Sequence, residues 1–320
     1  DAIVFPDTVE GVVTGRIDRL APAHQMTLKV ASVVGRIFAH RTLRDIYPVA
    51  PDRENLVIYL EHLDRLNLTP LYGRDPLLQY GFQHAITHEV AYGMLLFSQR
   101  RELHRCIAEW YEQTNADDLT AYYPILAYHW RQALGERPDS QLASHAIDYL
   151  EKAGEQAIRS YANLESINYF QDLLRIADAN PELAVSDFRR GTWEVRLAEA
   201  YMGLGKLADS EKHFDRSLTL YGYPPPLKLP ALAGNLARNL AVQLAHRARP
   251  SHFLNRAGDQ SDRLLAVSDA MQQESKIFFY KADSSMLLYS TLQGLNLAEA
   301  AGPSAVLARN YGTVCAISGL

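Results

Sequence analysis

The stretch YGFQHAITHEVAYGMLL, residues 80 to 96, sets His84 and His88 four residues apart with Glu89 beside the second. On a helix, positions i and i+4 point the same way, so two imidazoles there could share a cation such as zinc. A zinc site needs three or four convergent ligands, and Glu89 stands about 100° round the helix from His88. Tyr92 occupies the position where an H-E-x-x-H motif would need its second histidine. A second reading stays open, in which His84 caps a helix start and His88 is a partly exposed helical residue. Elsewhere, His104, His129, His145, His213 and His246 have no metal-ligand spacing and are assigned no role. No nucleophile and base pair is recognisable, and GLGKLADS at 203–210 has the wrong spacing for a phosphate-binding loop. The chain is therefore expected to be non-catalytic, with no metal site and no cofactor of its own.

These histidines must be positioned by mainly helical structure. TVEGVVTGRIDRL, from Thr8 to Leu20, puts Val9, Val12, Val13, Ile17 and Leu20 on one stripe, with Asp7 or Thr8 as N-cap. QMTLKVASVVG is apolar all round and reads as a central helix stopped by Gly35. Short helices follow in RTLRDIY and DRENLVIYLEHLDRLN. LTPLYG and LLQYGFQ flank the turn GRDP and are the only convincing strands. Helices ending in a two-stranded hairpin make a winged-helix arrangement. Helices are expected over 84–96, 98–114 and about 120–134, and LGERPDSQ at 134–141 reads as a break. Trp110, Tyr111, Tyr122, Tyr123, Tyr128 and Trp130 form an aromatic zone, read as core packing with a ligand pocket as the alternative.

An internal repeat follows. Gly154, Ser166 and Phe170 match Ala198, Ser210 and Phe214 at one constant offset of 44 residues. A small residue in each helix of a hairpin lets the backbones approach, and the aromatic four residues later fills the gap to the next pair. Leu197 and Tyr201 supply the large positions of the second unit, Gly205 opens its inter-helix turn, and Pro224 follows its end. A third unit is expected in SKIFFYKADSSMLLYSTLQGLNLAEAAG and a fourth from SAVLARNYGTVCAISGL. Between Leu232 and Ala270 the chain reads as helical, with a blurred register.

The bulk numbers suit this reading. The chain has 320 residues, 48% of them hydrophobic and 22% charged, with net charge −5 spread rather than blocked. No basic surface of the kind that neutralises phosphates is implied, so nucleic acid is not an expected partner. Two distant cysteines, no signal-peptide pattern and no apolar run of membrane-spanning length point to a cytoplasmic protein without membrane contact. The absent initiating Met and an ending inside a periodic pattern suggest a piece of a longer chain.

FPDTVEGVVTGRIDRLAP, VASVVGRIF, YGFQHAITHEVAYGMLL, RRELHRCIAEWYE, LAYHWRQAL and TLQGLNLAEAAGPSAVLARNYG together resemble the helical half of the signal-transduction ATPases with numerous domains. The likeness is to the bacterial group in which a class III adenylate or guanylate cyclase precedes an AAA-type ATPase and a tetratricopeptide array. It implies a mainly α chain: the end of an ATPase lid at 1–22, a winged-helix-like domain with a small β-hairpin and its following helices at 23–115, and a tetratricopeptide-like α-solenoid at 116–320, truncated at its C-terminus. It further implies a regulatory and interaction segment whose partners are the chain's own ATPase and cyclase domains, with a protein or small effector on the array. ATP or ADP and magnesium belong to the missing ATPase domain. By the same resemblance His84, where a strand runs into a helix, would sense the terminal phosphate of a bound nucleotide. Ala85 stands where immune relatives usually carry aspartate. Arg16, with Asp18 and Arg19 in GRIDRL, would be a lid contact near the nucleotide; the plain alternative is a solvated face with local ion pairs. The competing function is a transcription regulator of the maltose-activator type. Against groove reading by helix 52–66 stand Asp52, Glu54, Glu61 and Asp64, set against only Arg53 and Arg65.

Overall fold

A computed structural model describes residues 8–74, 76–135, 139–226, 228–249 and 257–318. Expectations placed on Asp7, on the middle of the 134–141 break and on part of the 232–270 stretch fall outside these residues. The described chain holds fifteen α-helices and one three-stranded sheet, and it divides into two compact units, 1–150 and 151–320.

In the first unit α1 spans Val9–Asp18, with the Thr8 hydroxyl accepting from Gly11 N at 3.1 Å as N-cap. Only Val13 and Ile17 of the expected stripe are buried, with Leu20 packed beside them; Val9 and Val12 are exposed. A helix of 10 residues packed mainly on α5 buries a narrower stripe than the periodicity allowed. α2, Pro22–Val34, buries Leu28, Val30, Ala31, Val33 and Val34 and stops at Gly35, whose φ of +149° suits glycine. Next come β1 (Ile37–Ala39), α3 (His40–Ile46), α4 (Leu56–Arg65), β2 (Leu71–Gly73) and β3 (Gln79–Gly81). The sheet order is β1-β3-β2, antiparallel throughout, with Phe38 opposite Tyr80. The sequence reading missed β1, because three residues are too few to display a period of two. α5 (Ala85–Gly93), α6 (Phe97–Thr114) and α7 (Tyr123–Ala133) complete the unit.

Val13 and Ile17 of α1 share one core with Leu28, Leu60, Phe82 and Ile107, so residues before 23 are packed into this unit. α6 and α7 pack on each other within this unit, which extends to Leu150.

The second unit is a series of helical hairpins of tetratricopeptide-like build. α8 (Ser140–Arg159) enters it and is followed by α9 (Asn163–Ala179), α10 (Asp187–Gly203), α11 (Leu207–Tyr221), α12 (Leu229–Ala248), α13 (Ser261–Tyr280), α14 (Ser284–Ala301) and α15 (Ala305–Ser318). Three of the inter-helix turns are built alike. Tyr161, Gly205 and Ala282 all have positive φ, at 59°, 71° and 55°. After each, an amide closes onto a carbonyl five residues back: Ala162 on Ala157, Lys206 on Tyr201, Asp283 on Phe278, each at 2.9 Å. This helix-ending motif satisfies carbonyls the helix leaves open, and normally asks for glycine. Glycine fills it at 205, and again at Gly222 after α11, but not at 161 or 282, so those two turns were invisible in the sequence.

The blurred register has a structural cause. α11 packs directly on α13, with Phe214, Leu218, Met271 and Ile277 in one core, while α12 lies against α14. α12 buries only Leu232, Asn239 and His246, and polar groups meet there. Asn296 Nδ2 donates to the Asn239 carbonyl at 3.2 Å, and Gln243 Nε2 donates to Glu299 Oε2 at 2.7 Å.

Candidate functional site

The residues that opened the sequence reading do not converge on a cation. His84 is the N-cap of α5, exposed, and its side chain makes no capping hydrogen bond. His88 is half-buried; its Nε2 lies 2.8 Å from the Ser32 carbonyl, so that nitrogen carries the proton and donates. Phe82 meets its ring edge-on at 5.1 Å, and burial pushes the imidazole pKa down. His88 is thus a partly exposed helical residue whose ring also ties α5 to α2. Among the described residues no group of three or more His, Cys, Asp or Glu is placed to hold a metal ion. Arg16 is exposed and donates from Nη2 to the Leu66 carbonyl at 3.0 Å, linking α1 to the end of α4.

The aromatic zone is mainly core. Trp130 is buried and donates to Glu112 Oε1 at 2.9 Å; Trp110 donates to Asp45 Oδ2 at 3.2 Å. At its centre the structure joins two histidines the sequence left without a role. His104 Nδ1 and His129 Nδ1 are 2.8 Å apart, both rings buried, with the Tyr92 hydroxyl 3.1 Å from His104 Nε2. Burial pushes His104 down to about 4, with Arg100 adding to it, and His129 down to about 3, with His104 adding to it. The pair is neutral at physiological pH.

The repeat positions do meet. A Cβ placed on Gly154 would lie 2.8 Å from Phe170 Cε2, so α8 and α9 approach as closely as a bare glycine allows. Ser166 and Phe170 are fully buried. In the next hairpin Leu197, Ala198, Ser210 and Phe214 are buried, and the Ser210 hydroxyl donates to the Ala198 carbonyl at 2.8 Å. Tyr201 is only partly buried and stacks on His213 with ring centroids 5.2 Å apart.

Across this hairpin runs a groove of about 650 Å³, walled by α9, α10, α11 and the turn that follows α11. Leu174, Leu220, Pro224 and Pro225 give it an apolar lining, and Asp178, Arg190, Glu194, Asp215 and Arg216 give it charge. The charges are not equivalent. Arg190 is bonded to Asp178, and Glu194 to His213 Nδ1. Asp215 and Arg216 have no ion pair among the described residues. Burial raises the Asp215 pKa above its usual value. Clefts of a few hundred Å³ with an apolar lining and a few placed polar groups are the usual form of a ligand site. Sequence reasoning named none of these residues as a site. The repeat offset located the hairpin, but its faces are revealed only when α9, α10 and α11 are stacked.

No family model matches this chain, and no curated protein does. Among solved structures, it is similar to a signal transduction ATPase with numerous domains (STAND) protein with a tetratricopeptide repeat sensor from Pyrococcus horikoshii. The identity is 10% and the TM-score 0.36, over 98% of this chain and 51% of that one. The chain thus spans about half the length of that protein. Among the described residues, no helix is long and apolar enough to cross a membrane.

Proposed function

We propose that this chain is the non-catalytic sensor and interaction segment of a multidomain signalling ATPase, its repeat unit binding a protein partner or small effector and its first unit relaying occupancy to the ATPase. The observation that carries this reading is the charged, partly apolar groove across the Asp187–Tyr221 hairpin, in a unit whose tight Gly154–Phe170 contact marks it as repeat packing. In the first unit, the succession helix, strand, helix, helix, strand, strand with order β1-β3-β2 supports a winged-helix assignment. His84, exposed and with no capping hydrogen bond from its side chain at the start of α5, is the candidate sensor of a nucleotide held by the ATPase; Arg16, beside the end of α4, is the second. An attached adenylate or guanylate cyclase is the proposed output, with ATP or ADP and magnesium bound outside this chain.

The test uses the full-length gene product. Thr219, exposed on the groove wall, is replaced by Trp to fill the groove, and His84 by Ala. Thr219→Trp is expected to change ATP turnover by several-fold by mimicking or blocking the occupant, and His84→Ala to speed ADP release. A full-length product that neither binds nor hydrolyses ATP would overturn the proposal.

A further inference from the structure

Behind the groove lies a carboxyl group whose hydrogen-bonding neighbour is a second carboxyl group. Glu274, on α13, is 0% exposed, and among the described residues no N–H or hydroxyl donor reaches either of its oxygens. A buried polar group left unmatched is costly, and a buried carboxylate more so. Its foremost electrostatic neighbour is Asp215, which lines the groove from α11. Glu211, one turn earlier on α11, also faces it, but Glu211 already holds Lys281, whose Nζ lies 2.9 and 2.7 Å from its two oxygens. From α14 the other neighbour is Tyr289, itself influenced by Arg238 of α12. Lys281, held by Glu211, also acts on Asp215, but among the described residues neither Glu274 nor Asp215 has an ion pair of its own.

Two facing carboxyl groups shielded from water cannot both ionise without a cation, so the pair retains a proton. Burial first, then Asp215, raises Glu274 well above the usual carboxylate range; burial raises Asp215. Asp215 is the member that opens on the groove, where acids outnumber bases by one. Three acids, Asp178, Glu194 and Asp215, and two bases, Arg190 and the exposed Arg216, line it, with Asp178 paired to Arg190 and Glu194 to His213.

We propose that the groove takes a lysine or arginine side chain from an extended segment of a protein partner, its cationic end against Asp215 with Glu274 behind, and its methylene stem along Leu174, Leu220, Pro224 and Pro225. This rests on the reading of the groove as the partner site. A long basic side chain fits both halves of that lining, since its stem buries on apolar surface while its head pairs with a carboxylate. The arriving cation supplies the charge the pair lacks, and the proton the pair held leaves to solvent. Affinity accordingly rises with pH, because the cation lowers a carboxyl pKa that is raised in the empty groove.

The probe is the blocked tripeptide acetyl-Leu-Lys-Leu-amide, titrated into the 320-residue chain and followed by NMR shifts and by calorimetry in buffers of differing ionisation enthalpy. The lysine peptide is expected to bind with release of up to one proton, tightening several-fold between pH 5.5 and 7.5. Analogues with norleucine or glutamate in place of lysine should bind at least tenfold more weakly. Asp215→Asn should abolish the preference for lysine. Glu274→Gln, which removes the titrating group but keeps the shape, should retain binding and flatten its pH dependence; thermal melts confirm that both variants fold. No lysine binding up to 10 mM, equal affinity for the glutamate peptide, or binding unchanged in Asp215→Asn would overturn the proposal. If these fail while Thr219→Trp still alters ATP turnover, only the cationic chemistry falls; if both fail, the groove is not the partner site.

Discussion

Replacing glycine by alanine should have opposite signs at two helical positions of the second unit. Within a helix, the exchange alone stabilises by about 0.5–1 kcal/mol, because glycine loses more backbone freedom on folding. Gly234, in α12, has open space where its Cβ would stand, so Gly234→Ala should realise that gain. At Gly154 the new Cβ would meet three atoms of one ring, Phe170 Cε2, Cζ and Cδ2, at 2.8, 2.9 and 3.2 Å. Real Cβ atoms do not approach so closely, and Phe170 is fully buried, with no free space into which to swing. Overpacking of this kind costs about 1–3 kcal/mol. Taking about 2 kcal/mol for the clash and about 1 kcal/mol for the helix gain leaves Gly154→Ala destabilised by about 1 kcal/mol. In a unit of this size that lowers Tm by about 2–4 °C, while Gly234→Ala raises it by about 1–4 °C. Differential scanning calorimetry reads both shifts. Phe170→Leu combined with Gly154→Ala should be less destabilising than the two singles added, with a coupling of about 1 kcal/mol. Equal shifts of the same sign at 154 and 234 would refute the close approach of α8 and α9.

Two further expectations concern the turns and the buried histidines. Tyr161 sits at φ 59° and is 87% exposed, so Tyr161→Gly removes strain without loss of packing and should stabilise by about 1 kcal/mol in chemical denaturation; a destabilised variant would argue against the left-handed turn. His104 and His129 are held below their unfolded value of about 6.5, so as pH falls below that value the unfolded chain takes up protons the folded chain refuses. Stability should decline from about pH 6.5 toward pH 4, and His129→Gln should make that decline shallower in melts run across the range; an unchanged slope would count against burial of the pair.

Much of the architecture was legible in the sequence because it rests on local pattern. The apolar wrap of α2 with Gly35 at its end, the leucines of α4, and the offset from Gly154, Ser166 and Phe170 to Ala198, Ser210 and Phe214 all depend on spacing along one or two helices. β1 was not legible, since a strand of three residues has no period and exists only by pairing with β3. The turns at Tyr161 and Ala282 were hidden as well: stacking of their hairpins imposes a left-handed residue where the side chain gives no sign of one.

The candidate site divides in the same way. Sequence placed His84 at the entry to a helix and set the small and aromatic residues of the repeat in order, because backbone propensity and helical spacing act over a few residues. Only tertiary structure decided which polar side chains meet. It turned His88 onto the Ser32 carbonyl, joined His104 to His129 across 25 residues, and set Glu274 behind Asp215, 59 positions away in the chain. Such pairings depend on how helices stack and how far water is excluded between them, and neither quantity is written in the spacing of residues along a single helix.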